Sequence, residues 1–82
     1  MKVVQTNDDI TIYTNNSVTD ALVKEVILQC SSTKDWIDVS FDVIGRTRHV
    51  CLAHELMERL GDAYEAMIDY DMYWCKIRRK DV

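Results

Sequence analysis

Apolar and polar positions alternate along this chain at two different periods, and each change of period marks a predicted element. The segments Lys2–Thr6 (KVVQT) and Ile10–Thr14 (ITIYT) are rich in β-branched and aromatic residues, the types that fit a pleated strand. Asn7, Asp8 and Asp9 between them suit a tight turn. A hairpin is predicted. The period then lengthens. Leu22, Val23, Val26, Ile27 and Cys30 fall on one helical face. Ser17 followed by Asp20 fits a capping box at the start of that helix. The polar run from Cys30 to Asp35 ends it.

The cleanest alternation follows. Ile37, Val39, Phe41 and Val43 face one way, and Asp38, Ser40 and Asp42 face the other. Such a strand has one face on a core and one in water, which suggests an open antiparallel sheet. Gly45 sits where a turn needs permissive backbone angles. Val50 and Leu52 then alternate with His49 and Cys51, which predicts a fourth strand returning from Gly45. A helix starting near Thr47 is the alternative reading.

From residue 55 onward the spacing becomes that of a heptad seam. Leu56, Leu60, Ala63, Met67, Tyr70, Trp74 and Ile77 recur at steps of four and three. Glu55, Glu58, Asp62, Glu65 and Asp69 form an opposite row. Both rows keep phase across Gly61, so one helix from about His54 to about Arg78 is expected. A helix of that length spans about 36 Å and should overhang a small sheet. The chain therefore reads as a single α+β domain covering residues 1–82. Its expected form is a four-stranded antiparallel sheet with two helices on one face, in the order ββαββα with a long C-terminal helix. The two halves share no convincing residue-level repeat.

Composition narrows the functional classes. With 82 residues and 48% hydrophobic residues, the chain can bury only a small core, and partner subunits often assist such chains. Its net charge is −4. Lys76, Arg78, Arg79 and Lys80 contribute +4 near the C-terminus and Asp81 takes one back, so residues 1–75 carry −7. An acidic body favours basic partners over nucleic acid. The basic tail could contact phosphate, although cations commonly complement a helix end. The first residues turn polar too early for a signal peptide, and no apolar run approaches a membrane span. Three widely spaced cysteines do not read as a disulfide framework. A cytoplasmic, reducing home is expected.

The chemistry-bearing clusters are sparse. His49, Cys51, His54 and Glu58 lie close in sequence but lack paired zinc-ligand spacing, so no metal is expected. Cys51 beside His49 could form a thiolate–imidazole pair if both lie on one strand face, which is the reading as a small thiol enzyme. Gly45 and Gly61 alone cannot build a phosphate loop, and no cofactor is expected. Arg46 and Arg48 form a small basic turn. With Arg78, Arg79 and Lys80 they define the alternative of a nucleic-acid-binding protein, in which Tyr13 could stack a base.

The acidic row Glu55, Glu58, Asp62, Glu65 and Asp69 would form a ridge about 21 Å long on a helix, with carboxylates spaced much like nucleic-acid phosphates. Off the apolar seam, Met72 and Tyr73 are natural partner contacts. The expectation is a non-catalytic protein-binding module: a cytosolic or phage-type regulator or inhibitor of another macromolecule, with the aromatic end of the helix as its contact surface; charge mimicry by the acidic row is one mode open to it, and a solvated helix face is the commoner role for such a row. A homodimer pairing through the overhanging helix is also expected.

Overall fold

The computed structural model describes residues 1–69 and 74–80. Among the described residues, five strands and two helices follow one another as β1 (Lys2–Gln5), β2 (Ile10–Thr14), α1 (Asp20–Ser32), β3 (Ile37–Phe41), α2 (Arg46–Leu60), β4 (Tyr64–Asp69) and β5 (Trp74–Arg79). The order is ββαβαββ, and the sheet order is β1-β2-β3-β5-β4.

The predicted hairpin forms. β1 and β2 pair antiparallel, and Thr6 and Asp9 close the turn through Thr6 N–H to the Asp9 carbonyl at 2.8 Å. α1 also forms, but Thr19 rather than Ser17 caps it, its hydroxyl accepting from the Leu22 N–H at 3.2 Å. Leu22, Val26 and Cys30 are buried as the period requires, while Ile27 is left exposed. β2 and β3 pair parallel, which α1 makes possible as their crossover. The expected all-antiparallel sheet is therefore a mixed one.

The larger correction concerns the second half. Residues 46–60 are helical, so the predicted fourth strand is the start of α2. The expected long helix ends at Leu60. Gly61 takes φ 88° and ψ −173°, and its N–H closes the helix on the Met57 carbonyl. A backbone angle this far into positive φ suits glycine alone, so Gly61 stops the helix that it was expected to continue. The chain then returns as β4 and β5, which pair antiparallel. β5 inserts beside β3, also antiparallel. β3 and β4 thus run in the same direction on either side of β5.

The heptad seam is divided among several elements. Leu56 is buried on α2, Met67 is exposed on β4, and Trp74 and Ile77 lie on opposite faces of β5. Among the described residues no helix overhangs the sheet, so the homodimer surface expected on such a helix has no counterpart there. Tyr70 lies outside the described residues.

One core joins sheet and helices. Ile12, Ile37, Val39, Phe41, Cys75 and Ile77 point from the sheet at Leu22, Val26, Cys30, Leu52, Ala53 and Leu56. Both helices thus cover the same sheet face. Arg59 of α2 ties the helices by donating to the Val18 carbonyl at 2.8 Å and pairing with Asp20 at the start of α1. His49 is fully buried beside Phe41, with ring centroids 6.1 Å apart.

Candidate docking face on the open sheet

Strand alternation sends every second side chain away from the helices. With Ile12, Val39, Cys75 and Ile77 buried, the outward positions of the central strands are Thr11, Tyr13, Asp38, Ser40, Trp74, Lys76 and Arg78. β4 adds Glu65, Met67 and Asp69. The register arranges them in cross-strand rows. Thr11, Asp38, Lys76 and Met67 form one row, Tyr13 and Ser40 continue a second toward Trp74 and Asp69, and Arg78 stands opposite Glu65 in a third.

These side chains neutralise and order one another. Lys76 Nζ lies 3.0 Å from the Asp38 carboxylate, and it also sits 5.2 Å from the centroid of the Trp74 ring. Arg78 reaches Glu65 at 3.2 Å, and its guanidinium lies 4.3 Å from the centroid of the Trp36 ring. Cation–π contact and charge pairing thus act on the same two cations. Tyr13 and Met67 flank the pairs and are about half exposed, at 49% and 44%. The outward strand positions carry Lys2, Lys76 and Arg78 against Asp38, Glu65 and Asp69, a net charge of zero. The three aromatic rings, Met67 and Arg78 on this helix-free face are residue types enriched at protein interfaces, while its lysines and carboxylates are types found at an interface rim.

The other expected residues are dispersed by the fold. Glu55 and Glu58 are exposed on α2, Asp62 lies in the following turn, and Glu65 and Asp69 are on β4. The continuous carboxylate ridge does not form, because Gly61 turns the chain between its second and third members. Met72 and Tyr73 lie outside the described residues. Arg46 and Arg48 occupy the first turn of α2, where Arg48 donates to the Asn16 carbonyl at 3.0 Å. Arg78 and Arg79 lie on β5 opposite Glu65 and Tyr64. Lys80 follows in a turn, its N–H bonded to the Ala63 carbonyl at 2.8 Å. The two basic groups therefore sit at opposite ends of α2, about 21 Å apart along its axis. They do not form one phosphate-binding surface.

His49 and Cys51 do not meet either. On a helix, residues two apart point to opposite sides, and here His49 is buried while Cys51 is exposed. The thiol-enzyme geometry is absent. Cys30 and Cys75 are free thiols inside the core. Burial pushes the Cys75 thiol up to about 12, reinforced by the nearby Asp38 carboxylate. Burial likewise pushes Cys30 up to about 11, with Arg79 partly opposing it. Neither is an activated nucleophile. Among the described residues no three His, Cys, Asp or Glu side chains gather as a metal site, and no helix is long and apolar enough to cross a membrane.

Sequence reading missed Lys76, Trp36 and Trp74 as members of one surface. The signal was present as period-two alternation in Tyr64–Asp69 and in Trp74–Arg79. No protein-family model, curated protein or solved structure matches the chain.

Proposed function

We propose that this chain is a non-catalytic protein-binding module, a small cytosolic regulator that acts by occupancy, and that its open sheet face is the docking surface. The observation that carries this is the pairing of the face's central cations. A nucleic-acid platform also uses aromatic rings on a sheet, but it needs cations left over for phosphate. Here Lys76 and Arg78 are each held by a carboxylate of the same face. A neutral aromatic surface gains from contact with another protein, where its rings and Met67 lose water and its ion pairs supply specificity. Three free thiols, two of them in the core, favour a reducing compartment.

Affinity capture of protein partners, run beside retention of single-stranded DNA and RNA, tests this. Capture should be lost in Met67→Glu and Tyr13→Glu and kept in Glu58→Lys, which alters only the helical layer. Oligonucleotide retention that weakens steeply with salt would instead establish the phosphate-contact reading.

A further inference from the structure

The charge pattern of the open face has a symmetry that identifies its occupant. We infer that the sheet face docks a second copy of this chain, through a two-fold axis parallel to the strands and lying between β3 and β5. This rests on the docking-face reading and names the partner.

The geometry follows from the register. Rotation about an axis in the sheet plane keeps each residue's level along the strand and exchanges left for right. β3 of one copy then lies over β5 of the other, and β2 over β4. Asp38 and Lys76 stand at one level on neighbouring strands, so each meets its opposite charge across the interface, and twice. The paired charges become a closed four-membered alternating ring. One level along, Trp36 of one copy faces Arg78 of the other, repeating between copies the cation–π contact already present within each. On the flanks Thr11 meets Met67, and Tyr13 meets the end of β4 near Asp69. An isologous contact must be self-complementary. This face satisfies that condition because acid and base sit in mirrored positions about its central strand pair.

The size of the face sets the strength. Four strands of about five residues cover about 19 by 17 Å on each copy. Two such faces amount to about 650 Å² of flat area, below the about 1,200 Å² at which specific stable interfaces begin, so the contact belongs to the weak, transient class. A weak, reversible dimer is expected, not an obligate one. Both helices of each copy stay outward, so Glu55 and Glu58 remain exposed in the pair.

Sedimentation equilibrium on four purified chains tests the inference. The wild type should dimerise with a Kd below about 1 mM. Asp38→Lys places four cations at the centre of the interface and Lys76→Asp places four carboxylates there. Each should weaken self-association at least about tenfold, since like charges face each other. Mixing these two variants restores both opposite-charge contacts across the interface, while the pair within each chain stays like-charged, so the mixture should form heterodimers more strongly than either variant pairs with itself. That rescue separates a docking defect from a folding defect. The double swap Asp38→Lys/Lys76→Asp should also dimerise. A wild-type dimer that neither variant weakens, or variants that fail to rescue each other while circular dichroism shows both folded, would overturn the inference. A monomeric wild type would do the same. If that monomer still loses captured protein on Met67→Glu, the docking face stands and only its assigned occupant falls.

Discussion

Replacing Gly61 by alanine separates two descriptions of the second half of the chain by the sign of its effect. In a continuous helix this glycine is an exposed interior residue, and alanine would stabilise the protein by about 1 kcal/mol. In the structure Gly61 adopts φ 88° and ψ −173° at the end of α2. That region is reserved for glycine and costs other residues about 1–3 kcal/mol. A Cβ built at Gly61 meets nothing within 4 Å, so no clash adds to the cost and no new packing offsets it. The loss should therefore be the backbone term alone, about 1–3 kcal/mol. For a domain of this size each kcal/mol moves the melting temperature by about 4–8 °C. With a urea slope of about 1 kcal/mol/M, the midpoint should fall by about 1–3 M. Both are read by circular dichroism on the two purified chains. D-Alanine, introduced by chemical synthesis, favours the mirror-image region and should recover the lost stability. An unchanged or raised midpoint in Gly61→Ala would refute the break at Gly61 and the sheet that depends on it.

Further predictions concern the core and the thiols. Leu56 is fully buried between helix and sheet, so Leu56→Ala should cost about 2–5 kcal/mol in denaturant unfolding; a loss below 1 kcal/mol would mean that residue is not in the core. A thiol reagent at neutral pH should modify Cys51 in the folded protein and reach Cys30 and Cys75 only on unfolding, because Cys51 is exposed and the other two are buried. Folded-state labelling of all three at equal rates would contradict this core. Alkaline stability follows from the same burial. The folded thiols ionise near 11 and 12, above the unfolded value of about 8.5, so above that pH the unfolded chain releases protons that the folded chain retains. Their stabilisation is intact below about pH 8.5 and declines as pH rises toward 11 and 12, by about 1.4 kcal/mol per pH unit for each thiol. Cys75→Ala should flatten that slope in urea titrations between pH 9 and 11, and an unchanged slope would show that the thiol is not titrating as described.

The first half of the fold was legible because its signals are local. The hairpin needs only its two β-rich segments and a polar turn, and β3 announces its buried face through strict alternation. The second half misleads for a specific physical reason. A step of four residues keeps a side chain on the same face in a strand as well as in a helix. Glu65 to Asp69 is such a step, so within β4 the acidic row keeps the spacing it would have on a helix. The steps of three are where helix and strand disagree. Trp74 to Ile77 crosses from the open face to the core. Glu65, Ala66, Met67, Lys76 and Arg78 are also better helix formers than strand formers, and their strand state is set by pairing with distant residues. The candidate docking face was legible only in part. Asp38 and Ser40 read as water-facing, and Tyr13 as an exposed ring. Their union with Lys76 and Trp74 requires β5 to insert between β3 and β4, a non-local event that no short window of sequence contains.

The pairing of two copies through the helix-free face of the sheet joins the proposed docking surface to a definite occupant. A dilution series of the isotopically labelled chain, followed by amide and indole resonances, tests it most directly. Concentration-dependent shifts are expected at Trp36, Asp38, Trp74 and Lys76, with α1 and the outer face of α2 unmoved. Those four residues constant across the series, whether or not the helices shift, would contradict it.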